Sequence, residues 1–198
     1  MTMKKFFSLL AIMVSAALSL TSCDEDVAIS NTLSGDWKGN FGMYYDYYDR
    51  HGKYVETFDC YDSDIRFLPD YEYATHGIGY QVDYYDFGPY RRMYHTFDWD
   101  VRNENIYLHY HGESEYDTVI RNYRMNSRYF EGYFSSGSEK FKLVKISDFY
   151  WDSHWGDYGY DYYDDWYGFA PTRSGAANDS IPADLEGGTI RLGNRFAK

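Results

Sequence analysis

The sequence predicts an all-β protein, an antiparallel meander of about eight or nine short strands that closes on itself as a barrel, with a β-sandwich as the alternative. Composition points there first. Tyr, Phe and Trp make up 22% of the chain, 25 of them Tyr, and aromatic and β-branched residues suit strands better than helices. Periodicity agrees: several segments alternate apolar and polar residues, and no long stretch repeats at 3.6 residues. Turn residues recur at short intervals between those segments.

The chain opens with Lys4 and Lys5, followed by an apolar run from Phe6 to Leu20 broken only by small residues such as Ser8, Ser15 and Ser19. This is the charged start and apolar middle of a secretory signal. It is too short for a spanning helix, which needs about 20 apolar residues. The run ends in Leu20-Thr21-Ser22-Cys23, which resembles the lipobox of bacterial lipoproteins. That resemblance implies a signal peptide over 1–22, cleavage before Cys23 and acylation of its thiol, with palmitate among the usual acyl groups. Each buried methylene contributes about 0.8 kcal/mol, and two or more chains make the anchor stable. Asp24-Glu25-Asp26 follows at once and resembles the surface-export signal of lipoproteins from Bacteroides-like bacteria. It implies an outer-membrane protein facing out of the cell, although acidic runs also serve as solvated tethers. Residues 23–33 are read as a lipidated polar tether.

Charge narrows the partners. Cutting before Cys23 removes two lysines and no acid, taking the net charge from −12 to −14. Such a chain repels phosphates of nucleic acid and anionic lipid heads, and no basic stripe offsets this. With Cys23 acylated, Cys60 has no cysteine to pair with, and a lone Cys among aromatics reads as a small buried hydrophobe.

The domain proper is read over 34–147. Trp37, Phe41, Met43 and Tyr45 alternate with polar or small neighbours as one half-buried strand. Tyr54 to Cys60 and Asp64 to Leu68 follow, separated by Asp62-Ser63, and Pro69-Asp70 closes the second. Ile78, Tyr80, Val82 and Tyr84 share a face opposite Gly79, Gln81 and Asp83. The turn Gly88-Pro89 leads into Met93, His95, Phe97, Trp99 and Val101, the clearest alternation in the chain. Arg102 to Asn105 turns into Ile106, Leu108 and Tyr110, and further strands are expected at 116–125, 129–135 and 139–147.

Leu33-Ser34-Gly35-Asp36-Trp37 opens the first strand and is similar to the Gly-x-Trp start of lipocalin-like and avidin-like barrels. Phe97-Asp98-Trp99-Asp100-Val101 followed by Ile106-Tyr107-Leu108 resembles the uncharacterised lipocalin-like lipoproteins of Bacteroides-type gut bacteria. The resemblance covers roughly 33–147. It implies a lipocalin-like barrel in which the glycine permits a tight entry and the tryptophan plugs one end. It also implies an Arg from near the last strand packing on Trp37, for which Arg191 and Arg195 are the candidates.

Beyond 147 the texture changes. Residues 148–169 are dense in aromatics and Asp, and 170–198 read as a weakly ordered polar tail in which only Ile190 and Leu192 hint at a strand. Trp151, Trp155, Tyr158, Tyr160 and Trp166 beside Asp157 and Asp161 make a candidate sugar platform. Aromatic faces stack on the apolar faces of sugar rings and carboxylates accept bonds from hydroxyls. The same rings could equally cover a barrel end.

Other chemistry is sparse. His109 and His111 share a strand face with Glu113 and Glu115 beyond them, a weak metal constellation similar in spacing to the first cupin motif. The flanking glycines are replaced by Asn103 and Asn122, and the two imidazoles face outward if Leu108 and Tyr110 face the core. Asp98 and Asp100 share one face and read as solvated acids. Ser135 and Ser138 lack the Gly-x-Ser-x-Gly elbow, and Gly77-Ile78-Gly79 sits inside a strand rather than at a phosphate-binding turn. No motif calls for a cofactor, and enzyme activity is disfavoured. The expectation is an envelope lipoprotein that binds a glycan or small amphipathic ligand. An accessory lipoprotein binding another envelope protein comes second, and a hydrolase with an unrecognised acid pair third.

Overall fold

A computed structural model describes residues 25–112, 117–134, 140–149 and 188–196. Among these described residues one helix, α1, covers 25–33. Twelve strands follow: β1 (Gly35–Gly39), β2 (Met43–Tyr48), β3 (Tyr54–Asp59), β4 (Asp62–Pro69), β5 (His76–Tyr84), β6 (Arg92–Arg102), β7 (Asn105–Tyr110), β8 (Thr118–Ile120), β9 (Tyr123–Met125), β10 (Tyr129–Tyr133), β11 (Lys140–Asp148) and β12 (Thr189–Asn194). Among the described residues no helix is long and apolar enough to cross a membrane.

Nine strands form one antiparallel sheet in the order β8-β7-β6-β5-β4-β1-β11-β10-β9, nearly closed into a barrel. Its two edges, β8 and β9, are consecutive in sequence, with only Arg121 and Asn122 between them. They behave as the two halves of one bent strand. The first half pairs with β7 and the second with β10, and the bend falls where Asn122 takes a left-handed φ of 53°. The edge left at the seam is thereby kept to strands of three residues each.

The meander has one insertion. The sequence reads 37–45 as a single strand, yet the chain breaks after Gly39, and Gly42, at φ +74°, starts a new direction. Hairpin β2–β3 then leaves the barrel before β4 returns beside β1. β12 adds to the free side of β2, giving a second sheet ordered β12-β2-β3. The C-terminal tail reading is therefore corrected over 188–196: Ile190 and Leu192 belong to a strand, and Phe196 is buried beside Phe41 and Phe134. The described part of the tether, 25–33, is likewise a docked helix rather than a polar linker, with Ser30 and Leu33 fully buried.

The barrel interior is filled with side chains. Toward the α1 end lie Trp37, Phe67, Phe97, Trp99, Ile106, Leu108, Phe130 and Leu143, all at most 1% exposed. Their rings meet mostly edge to face, as in Trp37–Phe130 and Phe67–Trp99, the arrangement that aromatic quadrupoles favour. β5 turns its glycine face inward, opposite to what its apolar face Ile78-Tyr80-Val82-Tyr84 suggests. Gly79 makes this possible, because a Cβ there would stand 2.1 Å from the Phe97 ring.

Trp37 plugs the α1 end. Its Nε1 donates to Leu33 O at 2.6 Å, and Gly35 enters at φ +118° against the Ser147 backbone. The cation over the Trp37 ring is Lys145 of β11, 5.1 Å from the centroid. Neither of the expected arginines serves: Arg195 bonds Asp59 and Arg191 sits opposite Asp46 on the second sheet.

Candidate functional site

At the far end from α1 the buried rings of Phe41, Phe134, Phe141 and Phe196 pack together at the rim of the barrel. β1 leaves it at Gly39, and the Asn40 side chain accepts a bond from Gly42 N at 2.7 Å, fixing the turn into β2. A Cβ at Gly42 would press on the Phe134 ring at 2.5 Å, so only glycine fits. The Gly42 carbonyl accepts from Arg195 N, and the Arg195 guanidinium reaches Asp59 at 2.7 Å. Around this junction lies an open cleft of about 400 Å³ lined by Asn40, Gly42, Met43, Asp59, Cys60, Phe134, Lys140 and Arg195.

Cys60 joins that cleft to a polar cluster inside the barrel. Its thiol donates to Asp62 O at 2.9 Å and lies 3.4 Å from Ser63 Oγ and 3.8 Å from Asp83 Oδ1. Burial, and after it the nearby Asp83 charge, pushes the thiol well above the ordinary range. Such a thiol stays protonated and is a poor nucleophile. Asp83 is fully buried. It accepts from Ser63 Oγ at 2.6 Å and from Gln81 Nε2 at 2.9 Å on both oxygens, with His95 Nε2 3.3 Å from Oδ2. Gln81 Oε1 in turn accepts from the Tyr110 hydroxyl at 2.8 Å. Nearby, Thr118 Oγ1 donates to Asn194 Oδ1 at 3.2 Å, tying β8 to the end of β12.

A buried carboxylate is tolerated only with such a set of donors. The geometry is that of a structural network. A Ser-His-Asp relay needs imidazole against the hydroxyl, with the carboxylate behind it. Here the Ser63 hydroxyl donates to the carboxylate itself, with no imidazole between them.

The sequence-predicted sites fare unevenly. His109 and His111 are exposed and point outward, as the alternation of β7 requires. His109 Nδ1 lies 3.1 Å from Asp117 Oδ2, while His111 Nε2 lies 3.0 Å from Asp98 Oδ2 and its Nδ1 3.1 Å from Thr96 Oγ1. His109 also has Asp100 Oδ2 at 3.8 Å from its Nε2, and the two imidazoles share no carboxylate. Among the described residues no group of three or more His, Cys, Asp or Glu could hold a metal; Glu113 and Glu115 fall outside them. Asp98 and Asp100 face outward, Asp100 beside Arg102. Cys23 and the platform residues Trp151, Trp155, Asp157, Tyr158, Tyr160, Asp161 and Trp166 also lie outside the described residues.

Sequence reasoning missed both the cleft and the cluster. One signal was present: His95 stands in the middle of an otherwise apolar inward face, and a histidine there needs a buried partner. Asp83, two residues along from Gln81 on the glycine face of β5, is that partner. Comparison with known proteins finds no matching family model, no matching curated protein and no matching solved structure.

Proposed function

We propose that this protein is a cell-envelope lipoprotein, acylated at Cys23 and held to the outer membrane, whose barrel is a non-enzymatic binding module that takes a glycan in the open cleft. The composition of the cleft carries the reading. Lys140, Arg195 and Asn40 offer donors, Asp59 offers acceptors, and Met43 and Phe134 give an apolar floor. A hydroxylated ring with one apolar face needs that mixture. The size supports it too, since small-molecule sites run from about 300 to 1,000 Å³. Packing in the barrel favours binding at the rim: aromatic rings occupy the interior that a lipocalin-like barrel would give to an amphipathic ligand. An enzymatic role draws no support from Ser63, which no imidazole links to Asp83, or from Cys60, whose thiol burial keeps protonated.

The test is a thermal-melt screen of the full chain in detergent against a glycan panel. A glycan at about 100 times its dissociation constant should stabilise by roughly 2.7 kcal/mol and raise the melt by several degrees. Lys140→Ala and Asp59→Asn should abolish that rise while leaving the ligand-free melt in place. A panel that moves nothing overturns the glycan reading and transfers the module to a protein partner, sought by copurification.

A further inference from the structure

We propose that the α1 end of the barrel rests on the bilayer surface, with Tyr71 and Tyr73 as its interfacial contacts, so that the cleft is held facing away from the membrane. The inference rests on the acylation of Cys23 proposed above and adds to it a fixed orientation. Its starting point is distance. Cys23 precedes the first residue of α1 by two positions, and an extended chain spans at most about 3.6 Å per residue. The acyl chains therefore leave the protein within about 7 Å of the helix start.

The helix cannot act as a swinging spacer. The Asp26 carboxylate accepts from the backbone N–H groups of Asn103 and Glu104, at 3.0 and 2.8 Å, at the tip of the β6–β7 hairpin. Both residues there have left-handed φ, which turns their amides toward one acceptor. Ser30 Oγ donates to Ala74 O at 2.5 Å, and Lys145 Nζ donates to Thr32 O at 2.8 Å. At the C-terminal end Leu33 is buried and receives the Trp37 indole. Four separate parts of the barrel thus grip nine residues of helix, and the anchor point is rigid with respect to the barrel.

The surface around that point suits a membrane interface. The loop between β4 and β5, which supplies the Ala74 carbonyl to α1, displays Tyr71 and Tyr73 at 56% and 61% exposure. Tyrosine, with an apolar ring and a polar tip, concentrates at the headgroup level of bilayers. Asp70 and Glu72 alternate with the two rings, so the fitting surface carries zwitterionic, amine-bearing headgroups rather than anionic ones. On the opposite end, the loop between β5 and β6 carries Phe87 beyond the cleft, at 75% exposure.

Two single-cysteine probes, Tyr73→Cys and Phe87→Cys, test this in the acylated full chain. Each is labelled with a thiol-reactive fluorophore and reconstituted into phosphatidylethanolamine–phosphatidylcholine vesicles containing nitroxide headgroups. Cys60 is buried with its thiol held protonated and stays unlabelled. The expected result is loss of fluorescence at position 73 and none at position 87. Equal quenching at both positions, or quenching at 87 alone, with acylation of Cys23 verified by mass, overturns the orientation and leaves the lipoprotein reading standing. A Cys23 that carries no lipid overturns both together.

Discussion

The two halves of the barrel interior obey different rules. Toward α1 the core is apolar: Trp37, Phe67, Phe97, Trp99 and their aliphatic neighbours meet ring against ring, and the side-chain donors buried there, the two indole N–H groups and the hydroxyls of Ser30 and Ser34, each donate to a backbone carbonyl. Toward the cleft the interior carries Ser63, Gln81, Asp83, His95 and Thr118: Ser63 and Gln81 donate to Asp83, Tyr110 donates to Gln81, Thr118 donates to Asn194, and His95 Nε2 stands 3.3 Å from Asp83. The same strands build both halves. The switch from one to the other occurs within a step of two residues, from Gly79 to Gln81 on β5 and from Phe97 to His95 on β6. An apolar core maximises the area withdrawn from water, whereas a hydrogen-bonded core fixes which group sits where. The half with fixed polar positions is the one beneath the cleft.

The sharpest way to test the contrast is to cut each half. Trp37→Ala in the apolar half should cost about 3–5 kcal/mol through lost burial and an uncollapsed cavity, read by urea denaturation. Asp83→Ala should cost about 3 kcal/mol for a different reason, the Ser63 hydroxyl and the Gln81 amide losing their common buried acceptor. Asp83→Asn, which keeps the shape and one acceptor oxygen, should recover part of that loss. If Asp83→Ala proves neutral, the polar half is no network and the comparison fails.

Alkali should act on the periphery of both halves. Burial raises the hydroxyls of Tyr45, Tyr84 and Tyr123 from 10.0 to about 12. The folded state thus keeps protons that the unfolded state gives up. Their contribution is present in full below pH 10 and is lost as pH rises through about 12. Cys60 acts in the same direction from its own unfolded value upward. A melt series from pH 8 to 12 should fall progressively above pH 10; a flat profile would show these hydroxyls to be open to water. The smallest effect is expected for Asp26→Ala, which removes two bonds to exposed backbone amides. About 1 kcal/mol is expected there, accompanied by faster hydrogen exchange at Asn103 and Glu104.

The sequence displays the barrel strands wherever one face meets the core and the other water. β6 is the clearest case, because its inward residues run Met93, His95, Phe97, Trp99 and Val101 without interruption. β5 misleads, since space for neighbouring rings comes from its glycines and its inward polar groups look like surface. The break at Asn40 to Gly42 is hidden because Phe41 and Met43 preserve the alternation across it, although Phe41 packs on Phe141 and Phe196 rather than continuing β1. The helix is hidden by its length: over 25–33 only Ile29 and Leu33 join the core, too few to mark a period. The cleft is least legible of all. Its walls come from the ends of β1, β3, β10 and β12 and the starts of β2 and β11, and local patterns carry no record of such convergence.

The closing pair of the barrel, β1 with β11, joins residues far apart in the chain, as in the bond from Ser147 to Asp36 across 111 positions. Until β11 has been delivered, the first strand has one neighbour of its two, and Trp37 lacks both the Phe130 edge and the Lys145 cation that cover it. Pairing over such separations is slow, because the entropy of closing the loop is lost before the contacts form. For a chain exported as proposed above, this would set a timetable. The barrel cannot finish folding while any of its strands is still being threaded across a membrane, so passage and folding become successive events with closure as the last of them.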